Sequence, residues 1–215
     1  LGGVHLACEQ ASNLLTKVLE WGRLMSYLEQ STRYIAYNSR LDGRYRYYRD
    51  PEIMSSPLAA RYIADMDFLF DTYANLVETM REYFASSIPK TSTDSDFAYL
   101  QAIKAKALDS VRGILPAASL SNVGIYGSGQ AYEALLLRMR SHPLPEAREY
   151  SEMILLELRK VIPSFLKRVD IPNRGQQTSE YMSDSHERLT DLADHYFPRT
   201  NSPLPHPTVD LTDYD

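Results

Sequence analysis

A long run of helically spaced apolar residues constrains the fold of this chain more than any other feature of its sequence. Between Leu58 and Phe84, large apolar side chains recur at steps of three and four residues. These residues are Ile63, Met66, Leu69, Phe70, Tyr73, Leu76, Val77, Met80, Tyr83 and Phe84. Pro57 precedes the run and Pro89 follows it, as expected near helix boundaries. The spacing predicts one long amphipathic helix, whose apolar face must pack against other elements.

Shorter segments on both sides of this helix predict a mixed fold. Further helices are expected over 12–21, 97–114, 128–140 and 145–160, followed by a short segment over 163–168. Strands are expected over 4–9, 45–49 and 118–126. The sequence contains no repeat of fixed period. It therefore predicts a helix-rich α+β fold.

Charge and proline are concentrated at the C-terminal end. Residues 171–215 hold eight acidic and three basic side chains, which account for the whole net charge of -5, and five of the twelve prolines. We therefore predict a domain over 1–170 and an acidic, proline-rich tail over 171–215. A loosely docked surface helix is expected over 183–196, and an extended or disordered terminus over 198–215.

Composition excludes several classes of protein. No apolar run approaches the roughly 20 residues of a membrane span and no signal peptide is visible, so we expect a cytoplasmic protein without a membrane partner. The single cysteine, Cys8, permits neither an internal disulfide nor a cysteine-based zinc cluster. The histidines lack ligand spacing, so no metal site is expected. The acidic net charge disfavours nucleic acid as a partner.

Guanidinium, carboxylate and hydroxyl groups are concentrated over residues 23–34. Arginine can bind phosphate or the edge of an imide through two parallel hydrogen bonds, which makes Arg23 and Arg33 candidate ligand contacts. Glu29 could orient these arginines, and Ser31 could donate to a ligand oxygen. The alternative is a polar loop with a surface ion pair of little consequence.

Two further segments carry candidate binding groups. Tyrosines and arginines over 34–49 suit either the stacking of a base with neutralisation of a phosphate, or a half-buried strand with one solvated face. Farther along, Arg112 and Arg138 flank glycines over 124–129, which could expose backbone N–H groups to an anion before a helix. Alternatively the glycines only turn the chain, Arg112 pairs with a nearby acid, and Arg138 lies along its helix surface.

Taken in order, these segments resemble the flavin-dependent thymidylate synthase family. The core signature of that family reads Arg-His-Arg, seven residues, then Ser-x-Arg, with a Glu two residues before the Ser. Four of those positions are occupied here by Arg23, Glu29, Ser31 and Arg33. The resemblance continues through Arg112-Gly-Ile-Leu-Pro-Ala-Ala, to Arg138 four residues before His142, and covers roughly residues 1–168. It implies a helix-rich domain with a small antiparallel sheet.

The resemblance also implies a reaction. Such enzymes convert dUMP to dTMP with methylene-tetrahydrofolate as carbon donor, NADPH as reductant and FAD as hydride donor, and they form homotetramers that share flavin sites. By carry-over, Arg33, Arg112 and Arg138 hold the dUMP phosphate and polarise the uracil, while Ser31 contacts the nucleotide and Glu29 orients the arginines. Ser31, Arg33 and Arg138 form the implied catalytic group. The residues implied to contact the cofactor are Arg23, Glu29 and Ser128.

The departures from the family pattern fall at residues that the resemblance places near the flavin. Trp21 and Gly22 stand where the family has Arg and His, and Val18 stands where it has a Gln three positions before that Arg. Ser128 and Ala134 stand where asparagines usually help to hold FAD. The usual Gly-His-x-Ser flavin segment would lie before Leu1. Two hypotheses follow: a synthase that holds FAD with a variant set of residues, and a non-catalytic nucleotide-binding protein or degenerate half of a larger synthase. We favour the first because the nucleotide-side residues are retained together.

Overall fold

A computed structural model describes residues 2–197 and gives them a helix-rich α+β fold, which confirms the predicted class. The strands are β1 (Gly3–Ser12), β2 (Met25–Glu29) and β3 (Leu120–Ser128). The helices are α1 (Asn13–Leu19), α2 (Pro51–Ser55), α3 (Ala59–Ser87), α4 (Asp96–Val111), α5 (Gly129–Arg140), α6 (Pro145–Arg159) and α7 (Gln177–Tyr196). No helix within residues 2–197 has the length and apolar character needed to cross a membrane. The predicted extended terminus over 198–215 lies outside the described residues.

The three strands form an antiparallel sheet with β3 in the centre, in the order β1-β3-β2. Alternation along β3 turns Val123 and Ile125 toward the helices, where they are buried with apolar side chains of α1, α5 and α6. On the opposite face, Leu28 and Tyr126 are exposed. Because α5 begins directly after β3, this packing fixes the first turn of α5 beside the end of the sheet.

One predicted strand is absent from the structure, and one observed strand was not predicted. Residues 45–49 do not form a strand: the backbone makes only an isolated bridge, between Tyr47 and Ser119. Conversely, β2 lies in the segment that we considered as a polar loop. Its alternation is short and places the polar Ser26 and the apolar Leu28 on the same exposed face, so the hydrophobic pattern does not reveal it.

A second core lies between α3, α4 and the tyrosine-rich segment over 34–49. Alternation over 45–49 predicts Tyr45 and Tyr47 on one face, and both are buried there against Phe70 of α3. The Tyr45 and Phe70 rings stack with their centroids 5.0 Å apart. The Tyr47 hydroxyl donates to Asp67 at 3.1 Å, so its polar end is satisfied at the edge of the core. This core fixes the backbone from which the neighbouring arginines project.

The helix predicted over 183–196 begins earlier, at Gln177, because a tight turn before it directs the chain onto the domain. The Gly175 N–H donates to the Arg168 carbonyl at 2.9 Å, and a Cβ on Gly175 would lie 2.1 Å from the Val169 carbonyl oxygen. Only glycine fits so close an approach. At the start of α7 the Ser179 hydroxyl donates to the Leu137 carbonyl of α5 at 3.3 Å. The first turn of α7 therefore contacts the domain.

A buried carboxylate joins the end of β1 to α6. Glu146 is 1% exposed and accepts hydrogen bonds from the backbone N–H of Ser12, at 2.8 Å, and from its hydroxyl. The Ser12 hydroxyl also caps α1 by accepting from the Leu15 N–H at 3.1 Å. Burial raises the pKa of Glu146, although the two donors on Ser12 oppose the shift. The interaction fixes α1, and hence the turn after it, against the core.

Candidate functional site

A cavity of about 400 Å³ opens where the turn before β2 meets the first turns of α5. We call it the Arg23 cavity. It brings together three of the predicted site residues, Arg23, Ser128 and Arg138. The cavity is also lined by four of the five residues at which the sequence departs from the family pattern, namely Trp21, Gly22, Ser128 and Ala134, but not by Val18. The retained Arg23 and Arg138 therefore share one site with these altered residues.

The Arg23 cavity has a positive character. Within residues 2–197, neither Arg23 nor Arg138 has a carboxylate at ion-pair distance; the ion pairs of that range involve other cations. The N-terminus of α5 opens on the same space, with the Ser128 hydroxyl accepting from the Ala131 N–H at 3.3 Å. The Trp21 side chain is 70% exposed at the rim. This arrangement suits an anionic ligand that carries a flat ring.

Gly22 is fixed by its neighbour Tyr27. The Tyr27 hydroxyl donates to the Gly22 carbonyl at 2.9 Å, and a Cβ on Gly22 would lie 2.6 Å from that hydroxyl oxygen. Burial raises the pKa of Tyr27, so the phenol stays a hydrogen-bond donor. A histidine at position 22 would require Tyr27 to move. The loss of the family's ring at this position is thus accompanied by a tyrosine that fills the space.

A second group of predicted site residues meets at Asp109 of α4. The Arg33 Nε lies 3.0 Å from Asp109 Oδ1, and the Arg112 Nε lies 3.1 Å from the same oxygen. The Ser31 hydroxyl accepts from the Arg33 N–H at 3.3 Å. All three charged side chains remain about half exposed, and two guanidiniums against one carboxylate leave a positive charge for a phosphate. We call this set the Asp109 cluster.

Asp109 is not among the residues to which the sequence points. Its only signal is local: it lies three residues before Arg112 on a predicted helix, the spacing of neighbouring side chains. The contact with Arg33 crosses 76 residues of sequence and depends on the tertiary fold. The paired acid that we considered as an alternative for Arg112 is therefore present, but it binds a second candidate arginine as well.

Glu29 lies at the end of β2 and has a partner other than the arginines. Its carboxylate accepts from Lys17 Nζ at 3.1 Å, and the same ammonium lies 3.4 Å from Glu20. The expectation that Glu29 orients the arginines thus differs from what the structure shows, because Asp109 lies between them instead. The reason is geometric: β2 carries Glu29 toward α1, which presents Lys17 on that side.

Apart from Glu29, the predicted site residues fall into two groups. Arg23, Ser128 and Arg138 line one cavity, and Ser31, Arg33 and Arg112 form the Asp109 cluster; no hydrogen bond or ion pair in the described part of the chain joins the two. The three arginines expected on dUMP are thus divided between them. No set of three or more His, Cys, Asp or Glu side chains between residues 2 and 197 is close enough to hold a metal ion.

Comparison with known families gives one match across most of the chain. The profile of the family described as "Thymidylate synthase complementing protein" (Thy1) matches residues 2–164. That range contains β1 to α6 and every predicted site residue.

Several proteins of known sequence or structure are similar to this chain. A "UPF0159 protein" of Chlamydia muridarum is 41% identical over 198 residues, which cover 91% of this chain and 37% of the relative. One from Chlamydia pneumoniae is 44% identical over 171 residues, covering 79% of this chain and 32% of the relative. The chain thus spans about a third of the length of these relatives. A UMP/dUMP methylase PolB from Streptomyces cacaoi, solved with 5-Br UMP, superposes with a TM-score of 0.47 at 14% identity, over 77% of this chain and 72% of that chain.

Proposed function

Because the chain belongs to the thymidylate synthase complementing protein family, we propose that it takes part in the conversion of dUMP to dTMP. The observation that carries this proposal is the Arg23 cavity, which is lined by two arginines without carboxylate partners in the described chain and by residues at the N-terminus of α5. Cations without carboxylate partners give the cavity a positive potential that attracts an anionic ligand. A nucleotide that carries phosphate is such a ligand.

The Asp109 cluster is the proposed anchor for the phosphate of dUMP. Arg33 and Arg112 are held in place by Asp109 before a ligand arrives, which lowers the entropy cost of binding. Each guanidinium can donate two parallel hydrogen bonds to phosphate oxygens. The Ser31 hydroxyl, whose oxygen accepts from the Arg33 N–H, keeps its own hydrogen free to donate to the nucleotide.

The Arg23 cavity is the proposed site where the pyrimidine meets the flavin. Its volume of about 400 Å³ suits a ring system, not a whole dinucleotide. The residues fit FAD in kind: Arg23 for an anionic group, Trp21 for ring stacking, and Ser128 at a helix N-terminus. When bound, FAD would supply the hydride, with NADPH as reductant and methylene-tetrahydrofolate as carbon donor. Arg138 would polarise the uracil, a form of electrostatic stabilisation that is commonly the largest contribution to catalysis.

The division of the site residues supports a site shared between two copies of this fold. A second copy can place its Asp109 cluster beside the Arg23 cavity of the first, which would reunite Arg33, Arg112 and Arg138 on one nucleotide. We propose a homo-oligomer, a tetramer in line with the family. A second candidate is favoured by the relatives, which are nearly three times as long as the matched region. In that case the chain is a nucleotide-binding half that another half completes.

The visible absorption spectrum of the purified chain, after addition of FAD and desalting, distinguishes these candidates. We expect the wild type to retain a flavin band and the Arg23→Ala variant to lose most of it. Arg61→Ala is the control, because it removes an exposed guanidinium from α3, away from the cavity. Binding of dUMP without retained flavin would support the nucleotide-binding half instead. Failure to bind either compound would overturn both.

A further inference from the structure

A second polar cavity, of about 410 Å³, is lined by none of the residues that the proposed function uses. It lies between Gln10 of β1, where the pairing with β3 shifts in register between Cys8 and Ala11, the turn over 41–44, the residues 45–49 that follow, and the start of β3. We call it the triple-arginine cavity, since three guanidiniums line it. Its polar lining consists of Gln10, Asp42, Arg44, Arg46 and Arg49. Leu120 contributes to its apolar part.

The backbone around the triple-arginine cavity is fixed. Leu41 and Arg44 exchange two backbone hydrogen bonds, at 2.9 and 3.0 Å, around a turn in which Asp42 and Gly43 both have positive φ. An Asp-Gly pair favours such a turn. Farther along, the Leu120 N–H donates to the Arg46 carbonyl at 3.0 Å, which attaches the segment to β3. The arginines therefore project from a backbone that needs no reordering on ligand binding.

Two of the three guanidiniums are held in place by aromatic rings. The Arg46 guanidinium lies 5.0 Å from the centroid of the Tyr37 ring, and that of Arg49 lies 4.0 Å from the Tyr47 centroid. Arg49 also donates to the carbonyls of Tyr45 and Tyr47, at 3.4 and 3.3 Å. These contacts restrict the side chains without neutralising their charge.

Charge in the triple-arginine cavity is unbalanced. In the described range, 2–197, none of the three guanidiniums has a carboxylate at ion-pair distance, whereas the nearby Arg40 is paired with Asp71 at 3.3 Å. Asp42 is the one carboxylate among the lining residues. Three cations against one anion within 410 Å³ produce a positive potential, which a ligand with several negative charges would relieve.

A chain of amide hydrogen bonds runs from this cavity to Gln30, the residue before Ser31 of the Asp109 cluster. The Gln10 N–H donates to the Asn122 side-chain oxygen at 2.9 Å, and the Asn122 amide nitrogen donates to the Gln30 side-chain oxygen at 2.9 Å. Gln30 directly precedes Ser31 in the sequence. The wall of the cavity and the start of the Asp109 cluster therefore share one hydrogen-bonded framework.

We propose that the triple-arginine cavity binds a small molecule with two or more adjacent anionic oxygen groups, either phosphates in series or carboxylates in series. This goes beyond the proposed function, because dUMP carries a single phosphate, which that proposal places on the Asp109 cluster. Separate guanidiniums on a fixed backbone match a ligand with several charges along its length better than they match a ligand with a single charge.

Calorimetric titration tests the proposal with inorganic diphosphate and triglutamate as probes, at constant ionic strength and on the full chain. We expect at least one probe to bind, and the double variant Arg44→Ala, Arg46→Ala to bind it at least about tenfold more weakly for each guanidinium removed. The control is Arg61→Ala, Arg81→Ala, which removes the same charge from exposed positions on α3. We also expect Arg44→Glu alone to weaken binding of the probe. This substitution is at an exposed position and leaves the second core intact.

The probe that binds more tightly shows whether the natural ligand carries phosphates or carboxylates. Absence of binding by both would overturn the proposal, as would equal weakening in the control, which would indicate attraction by net charge alone. Stronger binding of a short single-stranded oligonucleotide, lost in the same double variant, would replace it with a nucleic-acid surface. Titration with dUMP separates this result from the proposed function, because the double variant should bind dUMP normally.

Discussion

Replacement of Arg138 by alanine is expected to lower the rate of dTMP formation about a hundredfold to a thousandfold, the effect of removing one fixed donor from a site that stabilises developing charge. Arg138 lines the Arg23 cavity from α5 and has no carboxylate partner in the described residues, so its charge is available to a ligand. The measurement is initial rate with dUMP, methylene-tetrahydrofolate, NADPH and FAD at saturation.

Arg140→Ala is the matched control for this variant. It removes the same group two residues along α5, but there the guanidinium is bound to Glu152 of α6. We expect that variant to keep most of its activity, because this guanidinium is already bound to a carboxylate and does not line the cavity. Equal rates in wild type and Arg138→Ala, both active, would remove Arg138 from the proposed chemistry. Equal losses in both variants would point to a structural effect on α5.

Replacement of Phe70 by alanine is expected to lower the free energy of unfolding by about 3–5 kcal/mol. Phe70 is 0% exposed and stacks on Tyr45, with the Tyr47 ring 5.7 Å away. The cavity left behind would loosen both tyrosines, and with them the arginines that rest on this segment. Urea denaturation followed by circular dichroism measures the effect.

Phe68→Ala provides the comparison on the same helix. The Phe68 side chain is 69% exposed, so its loss should change the free energy of unfolding by no more than about 0.5 kcal/mol. The two variants have identical composition and differ only in which face of α3 loses a ring. If they were equally stable, the second core would not be the support that the packing indicates.

Helices with strong local signals could be predicted from the sequence, whereas elements defined by partners could not. The periodicity over 58–84 predicts α3 because the long apolar stripe has a period of its own. In contrast, β2 has only five residues and is stabilised by pairing with β3, which no local pattern reports. The start of α7 depends on a glycine that approaches the Val169 carbonyl, a contact defined only in three dimensions.

The candidate site, like the fold, could be predicted from the sequence only in part. The order of the segments identifies the family and names Arg33, Arg112 and Arg138 without any structure. The sequence does not indicate that Asp109 holds the first two, or that Tyr27 fills the space beside Gly22, because both contacts join distant parts of the chain or a turn to a strand. Side-chain partners are set by packing, and here they decide which arginines remain free for a ligand.

Titration of dUMP into the full chain by calorimetry tests the central claim most directly, namely that the retained residues form a nucleotide site. We expect saturable binding that Arg112→Ala weakens about tenfold or more, because a charge-assisted hydrogen bond to phosphate is lost. Arg61→Ala should bind as the wild type does. Absence of binding, or equal affinity in wild type and Arg112→Ala, would contradict the account.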